Sequence, residues 1–274
     1  AADQRARGFL LGGTAGRTTL NGEGLQHEDG HSLLWASSVP NCISYDPTFN
    51  YELAVIMHDG LKRMFQEQED VFYYLTVMNE NYVHPAMPEG VEEGIIKGMY
   101  LFKQGAEKSK LRVQLLGSGT IFNEVIAASE LLEADWGVAS DLWSCTSFTE
   151  LAREGQACER NNRLNPTQEK EIPYVSQCLN DREGPVIVST DYVRLLADSI
   201  RPFIRKHCSV LGTDGFGRSD TRENLRRFFE VDRYYVAVTA LNSLADLGQI
   251  DKSVVEQAIE KYGLDASKPA PWLV

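Results

Sequence analysis

The sequence lacks any long hydrophobic run. Nowhere in its 274 residues does it approach the roughly 18–20 continuous apolar residues of a membrane helix. Its start, AADQRARGFLLGGTAGRTT, has no h-region of signal-peptide length, because Phe9-Leu10-Leu11 runs straight into Gly12-Gly13. The expectation is a soluble cytoplasmic protein with no membrane partner. Basic charge is also short. Lys and Arg number 27 against 39 Asp and Glu, a net charge of −12. The densest basic cluster, Arg222, Arg226 and Arg227, sits among Glu223, Glu230 and Asp232. No basic face is offered to nucleic acid. Cysteine is sparse: Cys42, Cys145, Cys158, Cys178 and Cys208 are odd in number, widely spaced and without a CxxC pair. That excludes a disulfide frame and a zinc knuckle and fits a reduced compartment.

What remains is an ordinary globular balance of 43% apolar and 24% charged residues, in a chain long enough for one large domain or two ordinary ones. The first forty residues hold Gly8, Gly12, Gly13, Gly16, Gly22, Gly24 and Gly30. This density reads as a long ordered loop, of the kind that carries function in compact domains. Regular structure is expected from Cys42-Ile43-Ser44-Tyr45, a short strand. A helix over 50–66, a buried strand over 71–77 and a helix over 89–102 follow. The polar stretch KQGAEKSK (103–110) reads as a linker dividing 1–105 from 106–274. Beyond it, strands near 113–116, 142–145, 185–189 and 209–211 alternate with helices near 120–135, 191–204, 220–230, 232–247 and 251–261. Asp220 and Glu223 resemble a capping box. The alternation implies βαβ units, an α/β fold with a mainly parallel sheet and helices on both faces.

His27-Glu28-Asp29-Gly30-His31 matches H-E-x-x-H as a string, and Glu52 is available as a third ligand. That zinc motif requires a helix to align its histidines. Here it follows Asn21-Gly22-Glu23-Gly24 and contains Gly30, so no metal site is expected. Two readings of His27 and His31 stay open: imidazoles held at a cleft edge to donate a hydrogen bond or proton, or rings that satisfy loop carbonyls. Gly117-Ser118-Gly119 is half a dinucleotide fingerprint and reads as a tight strand-to-helix turn. Residues 212–220 form another such turn, structural or at an interface. Cys145 and Cys158 read as small buried residues, and His58 as structural. Asn79-Glu80-Asn81-Tyr82 lies beyond the C-terminal end of a parallel strand, where open sheets place ligands.

Four segments are familiar: GRTTLNGEGLQHEDGHS (16–32), PNCISYDPTFNYELAVIMHDGLKRM (40–64), NENYVHPAMPEG (79–90) and VLGTDGFGRSDTRENLRRFFEVD (210–232). They resemble the homodimeric-type bacterial pyruvate dehydrogenase family, the decarboxylating, acetyl-transferring first component of the pyruvate dehydrogenase complex. The likeness runs along the whole chain but covers only the C-terminal portion of such proteins. It implies that 1–105 closes the middle, pyrimidine-binding domain, and that 106–274 is a transketolase C-terminal-like domain. It implies a thiamine-diphosphate-dependent enzyme with Mg2+, both held mainly by residues upstream of this chain, which alone is then expected to be inactive. The family reaction decarboxylates pyruvate through a hydroxyethyl-thiamine intermediate and reductively acetylates the lipoyl group of the dihydrolipoyl acyltransferase, feeding acetyl-CoA synthesis. Implied partners are pyruvate, the lipoyl domain and core of that acyltransferase, and a second copy in a homodimer. The resemblance carries a catalytic role to His27 and, second, to His31. The alternatives are a non-catalytic C-terminal dimerisation or docking module, or another thiamine enzyme such as a transketolase.

Overall fold

The computed structural model describes all 274 residues. Two sheets form. The first is parallel, with β3 (Phe72–Val77) between β1 (Phe9–Gly13) and β2 (Cys42–Tyr45). The second contains β4 (Tyr100–Lys103), β5 (Leu111–Gly117), β6 (Val138–Ser144), β7 (Val186–Ser189) and β8 (Cys208–Leu211). Its order is β4-β6-β5-β7-β8, and only β4 runs antiparallel. The α/β class with a mainly parallel sheet holds, split over two sheets.

The strands of the second sheet are apolar on both sides because both faces are covered. Val113 and Leu115 of β5, with Ile187 of β7, pack on α4 (Ile121–Trp136), α9 (Arg233–Asp246) and α10 (Lys252–Lys261). Leu116, Val186 and Val188 face α5 (Phe148–Leu164), α6 (Tyr174–Leu179) and α7 (Arg194–Asp198). The two-residue alternation of strand side chains sends neighbours to opposite cores. In the first unit, α1 (Ser32–Ser37) lies on β2, and α2 (Asn50–Leu61) meets α3 (Glu92–Lys97). Helix α8 (Arg222–Phe228) seats Leu225 with Ile121, Phe229 and Val231.

Several expectations change. The opening forty residues are not all loop, since β1 and α1 lie within them. Gly12 is required in β1: a Cβ there would overlap the Tyr74 hydroxyl. The expected helix over 89–102 stops at Lys97. Gly98 caps it at φ +106°, a conformation that favours glycine, and the chain then enters β4. Strand β4 pairs with β6 ahead of the 103–110 linker, so the second sheet begins before that stretch. The helix over 50–66 ends in a π-helical turn, Lys62–Gln66, and that near 191–204 is α7 plus a 3-10 turn, Arg201–Phe203. The N-cap of α8 is Thr221, whose hydroxyl accepts from the Asn224 amide, and not Asp220. Helix α5 escaped the sequence reading because it is polar overall. Its start was nevertheless marked by Ser147 and Glu150, and the Ser147 hydroxyl does accept from the Glu150 amide.

The two units are joined by two buried carboxylates, Asp46 on the β2–α2 connection and Glu52 in the first turn of α2. Glu52 is fully buried. It accepts from the amides of Thr48 and Phe49 at 2.5 and 2.9 Å, and so caps α2. It also accepts from Tyr100 and Ser144 of the second sheet, both at 2.6 Å. Glu52 is therefore a structural bridge and no metal ligand. Asp46 accepts from Thr76 at 2.6 Å on one side and from Ser118 at 2.8 Å on the other. Gly119, at φ +50°, lets the backbone close on that carboxylate, because a Cβ would lie 2.7 Å from its oxygens. The turn at 117–119 thus serves this clasp. Replacing Glu52 by Ala strands four buried donors. It is expected to lower stability by about 3 kcal/mol or more, with Glu52→Gln intermediate, read as the shift of the urea midpoint.

Candidate functional site

The segment after β1 leaves the first unit and lies on the second. The Ala15 amide still bonds to Val77 O at 3.0 Å, but the Arg17 amide donates to Asp191 O at 3.2 Å. Thr18 N donates to the Asp191 carboxylate at 3.1 Å. Arg222 N bonds Asn21 Oδ1 at 2.9 Å, and Gly22 N bonds Asp220 O at 2.9 Å. Arg17, Thr18 and Thr19 are all buried despite their polarity. Gly16 permits this, since a Cβ there would overlap the Asp191 carboxylate.

The histidine loop is built on this base. Leu25–His27 is one 3-10 turn, Glu28 is extended at φ −87°, ψ 91°, and His31 is the residue before α1. His27 and His31 are both exposed. They sit on different elements and not on one helical face, and the protein has no group of three or more His, Cys, Asp or Glu that could hold a metal ion. Between them Glu28 turns inward. It is buried, and its Oε2 accepts from the Arg218 amide at 3.0 Å. Burial raises its carboxyl above the ordinary value, opposed by that amide and by Arg17. Asp29 Oδ1 accepts from the amides of His31 and Ser32, each at 3.0 Å, which starts α1. The Arg17 guanidinium donates to Gly215 O, and its Nη2 lies 3.2 Å from His31 Nδ1. The His31 ring stacks on Trp35, with centroids 6.2 Å apart.

The turn at 212–220 is the other wall. Gly217 lies against Leu25 O, where a Cβ would come within 2.5 Å. Beside the Leu25–His27 turn opens a cleft of about 610 Å³, lined by Leu25, Phe216, Arg218, Phe228 and Val274 among others. Phe216 is 82% exposed there. The Asn79–Tyr82 segment borders a separate cleft of about 230 Å³ at the end of β3. Its Glu80 is engaged inward, accepting from Thr120 at 2.8 Å and paired with Arg226. His58 is exposed at the end of α2. The cysteines are all free, and Cys42, Cys145 and Cys158 are buried. Burial pushes the Cys42 thiol up to about 11 and raises that of Cys145 well above its ordinary value, so neither is a thiolate near neutral pH.

Arg17 and Asp191 stand out from no sequence pattern as site partners, and Arg226 only as part of a basic cluster. Asp191 had one signal: it follows a buried parallel strand at its C-terminal end. Burial raises the Asp191 carboxyl from 3.8 to about 7, opposed first by the charge of Arg226. Burial likewise lifts Asp46 to about 6, opposed by its bonds to Thr76 and Ser118. A folded-state pKa raised above the unfolded value means that the folded protein binds the extra proton. Stability from this source is present below about pH 4 and is lost as pH rises toward about 7. Asp191→Asn removes the titration, so its thermal midpoint is expected to gain on the wild type as pH rises from about 5 to about 8. Parallel curves for the two proteins would contradict this.

Two family models match the chain. Residues 1–85 match the pyruvate dehydrogenase E1 component middle domain, and residues 98–232 the transketolase-like C-terminal domain. The pyruvate dehydrogenase E1 component of Cupriavidus necator is 66% identical over 275 aligned positions, covering 100% of this chain and 31% of the relative. That of Escherichia coli K12 is 59% identical with the same two coverages. The chain therefore spans about a third of the length of these relatives. Among solved structures, transketolase from Campylobacter jejuni superposes with a TM-score of 0.63 at 16% identity, over 88% of this chain and 32% of that one. A Pichia stipitis transketolase complex gives 0.62 at 17%, over 86% and 30%. At such identities the likeness concerns the fold alone. With relatives of more than half identity aligned along its full length, and middle-domain and C-terminal-domain models matching in order, the chain belongs to the pyruvate dehydrogenase E1 component family, as its C-terminal portion.

Proposed function

We propose that this chain is the C-terminal part of a thiamine-diphosphate-dependent pyruvate dehydrogenase of the homodimeric bacterial type. That enzyme decarboxylates pyruvate and passes the acetyl unit to the lipoyl group of a dihydrolipoyl acyltransferase. Residues 1–105 then complete a pyrimidine-binding domain, and 106–274 form the transketolase-like C-terminal domain. The observation that carries the reading is the state of His27. It is exposed on a turn beside a cleft, while Glu28 and Asp29 next to it are pinned by hydrogen bonds. A free imidazole on a fixed frame is what a donor to a reacting oxygen needs.

We assign the groups that hold magnesium and diphosphate to the rest of the longer protein. When bound, thiamine diphosphate supplies a cationic ring that takes up the electron pair left as carbon dioxide departs. The role we give this chain is to donate a hydrogen bond or proton from His27 to the substrate oxygen that gains charge. His31 is the second donor of the same loop.

In the full-length enzyme, His27→Gln is expected to lower the rate by about 100-fold or more, and wild-type turnover in that variant would end the assignment. The 274-residue chain alone, given thiamine diphosphate and Mg2+, is expected to release no carbon dioxide from pyruvate. Turnover by this chain would refute the placing of the cofactor groups elsewhere.

A further inference from the structure

The contact between Arg17 and His31 joins a buried guanidinium to an exposed ring. Arg17 is 2% exposed. Its Nη1 donates to Gly215 O, and Phe229 stacks beneath it at 5.8 Å from the ring centroid. Gly30 passes directly over it: a Cβ at that position would overlap the guanidinium. A side chain at residue 30 would require the guanidinium to move. Gly30 O is in turn held by the Val193 amide at 3.0 Å. Four groups therefore fix the guanidinium and the backbone leading into His31.

A guanidinium has donors and no acceptor. Its Nη2, 3.2 Å from His31 Nδ1, meets that nitrogen favourably only when Nδ1 carries no proton. The proton of the neutral ring must then sit on Nε2. Trp35 stacks on the same ring and holds its plane. Arg17 Nε is itself buried without a partner, so a desolvation cost is retained where a simple structural arginine would have its donors filled. Asp191, Asp29, Glu28 and Asp214 keep the group charged against burial, which lowers its pKa.

We propose that Arg17 is a positioning residue that locks His31 as the neutral Nε2–H tautomer, presenting a fixed hydrogen-bond donor to a carbonyl or carboxylate oxygen in the substrate. The proposal deepens the functional reading above and rests on it for the identity of that oxygen. It changes the role of His31: with Nδ1 occupied by Arg17, the ring acts as a donor through Nε2 and not as a base through Nδ1. Selective nitrogen-15 histidine labelling tests it, with the His31 signal assigned by its loss in His31→Gln. At about pH 8, above the ordinary imidazole range, wild-type His31 is expected to show one unaveraged tautomer with hydrogen on Nε2. Arg17→Met is expected to convert it to averaged tautomers, and a low, non-denaturing level of guanidinium ion to restore it. A wild-type ring that is averaged or protonated on Nδ1 overturns the proposal, as does an Arg17→Met signal unchanged from wild type. If Arg17→Met does not fold, the wild-type signal decides, with Arg17→Lys as the second variant: there a lysine donor is expected to keep the tautomer. The readout needs neither cofactor nor turnover, so failure of the His27 assignment leaves it intact, and its own failure leaves that assignment standing.

Discussion

The junction between the two sheets depends on carboxylates that have given up water. Asp46 on the β2–α2 connection and Glu52 in the first turn of α2 each take donors from both units. A buried carboxylate is tolerable only when its lone pairs are filled. The donors on the far side, Ser118, Ser144 and Tyr100, therefore have to be where they are. Hydrogen-bond geometry thus acts on the relative placement of the units alongside the apolar contacts of Leu33 and Phe49 with the cores of the second sheet. The cost shows in the upward shifts of both carboxyls, which burial dominates.

The same logic extends to the opening segment. Polar residues 17–19 are buried because Asp191 and Arg222 supply partners across the units. With the base so fixed, the loop above it needs no regular structure of its own. Glu28 Oε2 and Asp29 Oδ1 accept from backbone amides, and the two histidines are left outside.

The sheet strands were legible because apolar β-branched runs such as VFYYLTV and PVIVS announce strands buried on both faces. The histidine loop was legible as irregular because of its glycines. What escaped had physical reasons. Strand β1 carries exposed leucines and glycines, and it becomes a strand by pairing with β3, a partner some sixty residues away. Helix α5 is rich in polar residues, and of its buried positions, Phe148, Thr149, Leu151, Ala152, Gly155 and Cys158, only Phe148 and Leu151 are large and apolar. The partners of the site, Arg17 with His31 and Asp191 with Thr18, are between fourteen and 173 positions apart. No local pattern encodes such pairs.

Strand β1 forms one edge of its sheet, with β3 on one side only. Leu10 and Leu11 on it are 51% and 58% exposed. A bare parallel edge with apolar side chains is a template on which another strand zips. The first unit is thus unsaturated in its backbone hydrogen bonding along that margin. Strand addition is the association that the free backbone groups of such a margin favour.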